Sequence, residues 1–411
     1  MIEFSVGNYR SFKDVVTFSM VAAPIPHEDE TTDLNNVFAI AQDIDLLKSA
    51  AIYGANASGK SNLIRAIAFV KSFVLNSAIG RRVKEPIETE VYKLSKDTEN
   101  EPSYFEIIFS LGKNRYRYGF EVDRHSIKSE WLYQTLTITE SELFSREGKD
   151  INVSKNFEEG QDLANRTRAD ALFLSVVAQF AGDIATDITD WFDSLVIISD
   201  IDDEVFCKTI TDNIVIEDNN GRQYIKDLTK SLDLGIEDIN LFKIPIDAEQ
   251  SSFRYEIKTT HWKYDAEGNK LSLEKFDIGK EESAGTQKLY GLSGMLMNLI
   301  RIGGILIVDE LDARLHPLIT CAIVRLFNSS KTNPNNAQLI FTTHDTNLLS
   351  CNLFRKDQVW FTEKNRYGAT DLYSLVEYKI PWQASFEQDY IAGKYGAVPF
   401  IGDLSRLLGK K

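Results

Sequence analysis

The sequence predicts an α/β fold with a mixed sheet core, an N-terminal antiparallel sheet lobe and an inserted α/β or helical subdomain. Three observations predict it. A continuous apolar strand, "LLKSAAIYG", runs into the helical pattern "SNLIRAIAFVKSFVLNSA". Residues 89–138 hold successive segments of period 2 with no helical pattern between them. From residue 283 onward, helices alternate with fully apolar strands, as in a parallel sheet covered on both faces.

Taken in order, "IEFSVGNYRSF" and "DVVTFSMVA" alternate like two strands joined by a short turn. The apolar strand ends at Gly54, and the segment after it repeats its apolar positions with a period near 3.6. "TEVYKL", "SYFEIIFSLGKNRYRYGFEVD" and "IKSEWLYQTLTI" carry Gly/Asn and Asp/Arg turn signals and are expected to form antiparallel sheet. "RADALFLSVVAQF" reads as helical, as does a segment ending near "DWFDSL". Residues 198–250 join an acidic turn, "ISDIDDE", to a helix in "YIKDLTKSLDL", and are expected to form the inserted subdomain. "SFRYEIKTTHWKYDAEGNKLSLEKF" is a hairpin about Glu267-Gly268-Asn269. The closing pattern is "TQKLYGLSGMLMNLI", "GGILIVDEL", "PLITCAIVRLFN" and "AQLIFTTH". The expected division is thus 1–197, 198–250 and 251–411.

Composition narrows the function classes. No apolar run is long enough to span a bilayer, and "MIEFSVGNYRSF" lacks the layout of an export signal, so a cytoplasmic protein is expected. Cys207, Cys321 and Cys351 lie far apart without ligand-like spacing and read as thiols of a reducing compartment. A net charge of −15 argues against coating nucleic acid through the overall field. The basic stretches "KNRYRYGFEVDRHSIK" and "SAIGRRVKEP" are interrupted by acids and read as solvated surface.

The chemistry begins at Gly54, Ala55, Asn56, Ala57, Ser58, Gly59, Lys60 and Ser61, "GANASGKS", with Asn62 next. This is G-x-x-x-x-G-K-S between an apolar strand and a helix, where backbone N–H groups and the helix N-terminus can surround phosphates. Lys60 would reach the β/γ-phosphates of ATP, and the Ser61 hydroxyl would hold Mg²⁺. The strand "ILIV" delivers Asp309 and Glu310 at its carboxyl end, the ligand end of an open sheet. Asp309 is read as the Mg²⁺ partner and Glu310 as the general base. "LIFTTHD" repeats the design and places His344, with Lys60 and Glu310, among the candidate catalytic residues. Ser283 and Gly285, in "SAGT", precede a helix whose free amides suit a phosphate, although an ordinary helix cap has the same appearance. Lys60 and its loop already enclose one side of the triphosphate, so this spare helix start suits a second molecule.

The order "GANASGKS", "SAGT", "ILIVDE", "LHP", "TTH" resembles the head domain of ABC-type P-loop ATPases, in the branch of SMC proteins and OLD enzymes. Within it the chain resembles the prokaryotic defence ATPases that include RloA and the abortive-infection ATPases. "NYRSFKD", "ALFLSVVAQF" and "YIAGKYGAVPFIGDL" share that likeness, least closely followed over 198–250. The resemblance implies that Ser283 and Gly285 touch the γ-phosphate held by an opposite subunit, in a homodimer or larger assembly built around shared ATP. It implies a switch role for His344 and a contact across the dimer for His316. Gln179 fits either a Q-loop residue or a helix-surface glutamine. "SAGT" in place of the "SGGQ" of transporters speaks against membrane transport. The implied function is an Mg²⁺-dependent ATP-hydrolysing switch in antiviral defence, controlling a separate effector such as a nuclease. The 67 residues after His344 are too few for the TOPRIM nuclease of OLD enzymes. The alternative is an SMC-like DNA maintenance or repair ATPase, against which the lack of heptads and the acidic balance weigh. Direct nucleic-acid binding stays open.

Overall fold

A computed structural model describes residues 1–25, 35–41, 44–79, 85–136, 139–199, 201–232, 235–245, 253–379 and 385–399. β1 (Glu3–Gly7) and β2 (Val16–Ser19) form a hairpin, and β3 (Val37–Ala41) pairs with β4 (Ile44–Leu47). β5 (Ser49–Tyr53) leads through residues 54–59 into α1 (Lys60–Asn76). Five strands follow as an antiparallel meander: β6 (Ser103–Leu111), β7 (Asn114–Val122), β8 (Ile127–Thr135), β9 (Glu140–Glu147) and β10 (Asp150–Val153). With β1 and β2 they make a seven-stranded sheet, β10-β9-β8-β7-β6-β1-β2, which is the expected antiparallel lobe. Buried residues alternate along β6, the mark of a sheet with one covered face.

After α2 (Phe173–Gln179) and α3 (Asp183–Ser194), the short β11 (Val196–Ile198) opens the second sheet. α4 (Ile201–Glu217) and α5 (Asn219–Ser231) come next, then β12 (Asp238–Pro245), β13 (Phe253–Tyr264) and β14 (Lys270–Asp277) as a separate three-stranded sheet. α6 (Ala284–Ile302), β15 (Ile305–Val308), α7 (Pro317–Asn328), β16 (Gln338–Thr342), α8 (Asn347–Ser350), β17 (Val359–Lys364), β18 (Thr370–Ser374) and α9 (Phe386–Ile391) complete the chain. The second sheet has the order β11-β15-β16-β5-β17-β18, and only β18 runs antiparallel to its neighbour.

The pleat of that sheet divides the core. Ala50, Ile52, Ile305, Ile307 and Ile340 face α1 and the antiparallel lobe, and their neighbours Ala51, Tyr53, Leu306, Val308, Leu339 and Phe341 face the later helices. α1 buries Leu63, Ile64, Ile67, Val70, Phe73 and Val74, spaced to fill the gap between the two sheets. Tyr390 and Tyr395 of the C-terminal stretch pack on Tyr53 and Phe361.

The structure corrects several expectations. "TEVYKL" forms no strand: Thr89 bonds Ser103 through side chains, and the Tyr92 hydroxyl donates to Tyr367 O at 2.7 Å. β9 and β10 escaped the reading, although "ELFSREGKDINV" alternates about Gly148-Lys149. The acidic "ISDIDDE" is no free turn but the start of α4, where Asp203 accepts from Ser199 N at 2.7 Å and suits the positive helix end. β12 pairs with β13 along its length, so a boundary at 250 cuts a hairpin, and the paired unit runs on to Asp277. α4 packs directly on α6: Thr211 Oγ1 donates to Gly291 O at 2.7 Å and accepts from Gly294 N at 3.1 Å. Distant in sequence, Cys321 and Cys351 bring their sulfurs to 2.9 Å. Residues 80–84 of "SAIGRRVKEP", Asp200 and residues 400–411 of the closing stretch lie outside the described residues. Among the described residues, no helix is long and apolar enough to cross a membrane.

Candidate functional site

β5, β15 and β16 lie side by side and parallel, so their carboxyl ends open on one edge. Residues 54–59 leave β5 there, Asp309 and Glu310 leave β15, and Thr342 to His344 leave β16. Three of the sequence's candidate groups therefore meet because hydrogen-bonded register forces them to.

The loop is fixed from outside. Ser58 Oγ lies 2.6 Å from Thr362 Oγ1, and Thr370 Oγ1 donates to Ser58 O at 2.7 Å, so β17 and β18 hold its turn. Asn62 Nδ2 donates to Ser11 Oγ at 2.7 Å, tying the start of α1 to the turn after β1. Gly59 has φ 123°, and a Cβ there would strike Thr370 Oγ1 and approach its Cγ2 to 2.6 Å, so no other residue fits. Lys60 is buried, and its Nζ donates to Gly54 O at 2.7 Å and Ala55 O at 3.1 Å. An ammonium has three donors, so these bonds leave it one for an incoming anion. Burial lowers its pKa, against the pull of Asp309, Glu310 and Asp312.

The second strand end is held by the third. Thr342 Oγ1 donates to Asp309 Oδ1 at 2.5 Å and accepts from Glu310 N at 2.7 Å. Glu310 is exposed and adopts φ 54°, a left-handed conformation that turns the chain sharply after β15. His344 stands at the same mouth, its backbone N–H donating to Asp312 Oδ2 at 3.4 Å. Partial burial and the neighbouring Lys60 charge push its pKa below the ordinary histidine value, with Asp312, Glu310 and Asp309 opposing. A cleft of about 470 Å³ is lined by residues 56–62 with Arg65, Glu310, His344 and Lys364, while Gly54, Ala55 and Asp309 are not among its lining residues.

Arg65 and Lys364 are cations at this cleft that the motif did not single out; Lys364 closes the strand parallel to β5 on its other side. The candidate Mg²⁺ donors are hard oxygens: the Ser61 hydroxyl in the cleft lining, and the Asp309 carboxylate at the end of β15, one oxygen of which already accepts from Thr342. No cluster of three or more His, Cys, Asp or Glu that could hold a metal occurs among the described residues. One carboxylate and one hydroxyl, completed by phosphate oxygens and water, fit the way Mg²⁺ is bound with nucleotides.

Ser283 and Gly285 are placed elsewhere. They open α6, outside the residues lining the cleft. Ser283 Oγ caps its own helix, accepting from Thr286 N at 3.1 Å, and remains exposed. A Cβ on Gly285 would come within 2.6 Å of Arg314 O, so glycine lets α6 meet the segment after β15. His316 Nδ1 accepts from Leu318 N at 3.2 Å and caps α7. Gln179 is exposed at the end of α2 and does not line the cleft.

The sequence profile of the family described as "AAA domain, putative AbiEii toxin, Type IV TA system" matches residues 49–350, from β5 to the end of α8. Among solved structures, an SMC head bound to the C-winged helix domain of ScpA is 14% identical over 94% of this chain and 98% of that one, with a TM-score of 0.49. The SMC head domain from Thermotoga maritima is 15% identical over 91% and 98%, with a TM-score of 0.42. Comparison with curated proteins finds no match.

Proposed function

The chain belongs to that AAA-domain family, and on this premise we propose that it is an ATP-hydrolysing switch subunit of a prokaryotic antiviral defence system. The observation that carries the reading is the convergence of "GANASGKS", Asp309-Glu310 and His344 at the carboxyl ends of three adjacent parallel strands. Loop amides, Lys60 and Arg65 bind the triphosphate of ATP. Ser61 and Asp309 hold Mg²⁺, which when bound screens charge on the phosphates. Glu310 accepts the proton of the attacking water, and neutral His344 donates to the γ-phosphate.

Ser283 and Gly285 lie away from their own chain's cleft, which supports a head-to-tail dimer in which each chain covers the other's nucleotide. ATP then holds the chains together, and hydrolysis loosens them by removing the group that both touch. The switch acts on a separate effector, a nuclease being the class the family resemblance implies. The test is ATP turnover by the purified chain and by Glu310→Gln, with co-purification of the product of a neighbouring gene. An inactive wild type, or a Glu310→Gln chain that turns over normally, would sink the hydrolytic reading. DNA-stimulated turnover without a co-purifying effector would favour a DNA-maintenance role.

A further inference from the structure

Lys288 lies in the second turn of α6, in an otherwise apolar helical pattern, and is only 8% exposed. Among the described residues, no carboxylate forms an ion pair with its ammonium. Instead Nζ donates to three backbone carbonyls of one short segment: Glu310 O at 3.1 Å, Leu311 O at 3.3 Å and Ala313 O at 3.0 Å. All three donors are thus spent on the chain that leaves β15. The same segment touches α6 again one turn earlier, where Gly285 packs on Arg314 O. It is also bent at both ends, Glu310 at φ 54° and Arg314 at φ 64°. Such non-glycine conformations persist only where the surroundings impose them. Lys288 and Gly285 are parts of α6 that touch this segment, beside the Thr342 hydroxyl that accepts from Glu310 N.

We propose that Lys288 is a positioning residue, fastening the loop of the candidate base Glu310 to the helix that carries Ser283. This rests on the reading of Glu310 as the base. It adds a physical link between the two ends of α6's first turns: Ser283 cannot shift without carrying residues 310–314 with it. A phosphate engaged at Ser283 would therefore be felt at Glu310 of the same chain, and so at the other nucleotide of a dimer. The ammonium bonds the backbone carbonyl of Glu310 and not its carboxylate.

The experiment uses the full chain, with Lys288→Met removing the charge at similar volume and Lys288→Arg keeping the donors. For Lys288→Met we expect KM for ATP within about twofold of wild type and kcat lower by about 10–100-fold. Hydrogen exchange across residues 309–315 should quicken while β15 and α6 keep their protection. Lys288→Arg should restore the protection and most of kcat. Should Lys288→Met fail to fold, Lys288→Gln, which keeps one donor group, takes its place with the same readouts. Unchanged exchange at 309–315, or wild-type kcat in the variant lacking the charge, overturns the proposal. Normal turnover in Glu310→Gln would overturn the assignment of the base instead, and the exchange measurement would still decide whether Lys288 fastens the loop.

Discussion

The Thr342 hydroxyl donates to Asp309 Oδ1 at 2.5 Å and so joins the ends of β15 and β16 side chain to side chain. The same oxygen accepts the Glu310 amide, and Thr342 has no exposed surface. Thr342→Val keeps the shape and deletes both bonds, leaving the Glu310 N–H without its acceptor. It is expected to cost about 1–3 kcal/mol of stability, read from denaturant unfolding, and to raise the Mg²⁺ concentration needed for ATP binding. Thr342→Ser, which keeps the hydroxyl, should stay near wild type on both measures. A valine variant with unchanged Mg²⁺ dependence would remove Thr342 from the metal's surroundings.

Gly285→Ala sets two effects against each other. Alanine in place of glycine in a helix gains up to about 1 kcal/mol. The new Cβ would lie 2.6 Å from Arg314 O, a backbone atom that a rotamer change cannot move. Overpacking of this kind costs about 1–3 kcal/mol, so the variant should be less stable on balance. Thermal unfolding checks the sign, and a higher midpoint would mean that residues 310–314 yield more readily than their contacts suggest.

Lys60→Ala should abolish tight ATP binding. The buried ammonium is bonded to Gly54 O and Ala55 O, within the loop that would hold the phosphates. Arg65 and Lys364 line the cleft but lie further along their elements, outside the loop itself. Equilibrium titration with nucleotide is the measurement, and wild-type affinity in the variant would refute the assignment.

How far the fold was legible follows from the range of each signal. The central strands β5, β15 and β16 are readable because they are mostly apolar and fully buried and lie between helical patterns, as in "ILIVDE" and "LIFTTHD", whereas β11, β17 and β18 are not among the expected strands. The motif residues were readable because a strand end fixes where they project. α4 was misread because its acids resemble a turn until the helix dipole gives them a use, and its packing depends on Gly291 and Gly294 of a helix 80 residues later. Thr362 and Thr370, which set the loop, are ordinary strand threonines in sequence. Lys288 did leave a trace: a lone cation in "TQKLYGLSGMLMNLI" needs a buried partner, but nothing local says that carbonyls 22 to 25 residues on will supply it.

His344 gives a pH prediction. Burial and then the Lys60 charge lower its pKa in the folded chain. Above the ordinary value of about 6.5 both folded and unfolded chains hold it neutral, and the stabilising contribution is fully present. As pH falls through the lower, folded value the contribution is lost, because the unfolded chain takes up the proton first. Stability of the wild type should therefore decline below about pH 6.5 more steeply than that of His344→Gln. Denaturation midpoints across a pH series measure this, and equal slopes would show that His344 is not perturbed as its surroundings imply.

The sharpest prediction concerns assembly. Ser283 is exposed, caps α6 and lies outside its own chain's cleft, while that cleft is lined on one side by Lys60 and its loop. Amides at a helix start suit a phosphate, and a second chain's nucleotide is the occupant proposed above. Glu310→Gln keeps the Asp309–Thr342 pair and the loop while removing the proposed base, so ATP should bind and the closed dimer should accumulate. Ser283→Arg leaves Lys60 and its loop untouched, so it should bind ATP yet fail to close, and turnover should fall by about 100-fold or more. Mixing Ser283→Arg with Lys60→Ala supplies the decisive case, since one of the two sites then pairs an intact loop with an intact Ser283. That mixture should recover part of the turnover that neither variant has alone. Light scattering with and without ATP, together with distances between labelled lobes, separates closure from association through any other surface. No ATP-dependent closure in Glu310→Gln, with normal turnover in Ser283→Arg, would leave a P-loop ATPase whose two nucleotides are not shared.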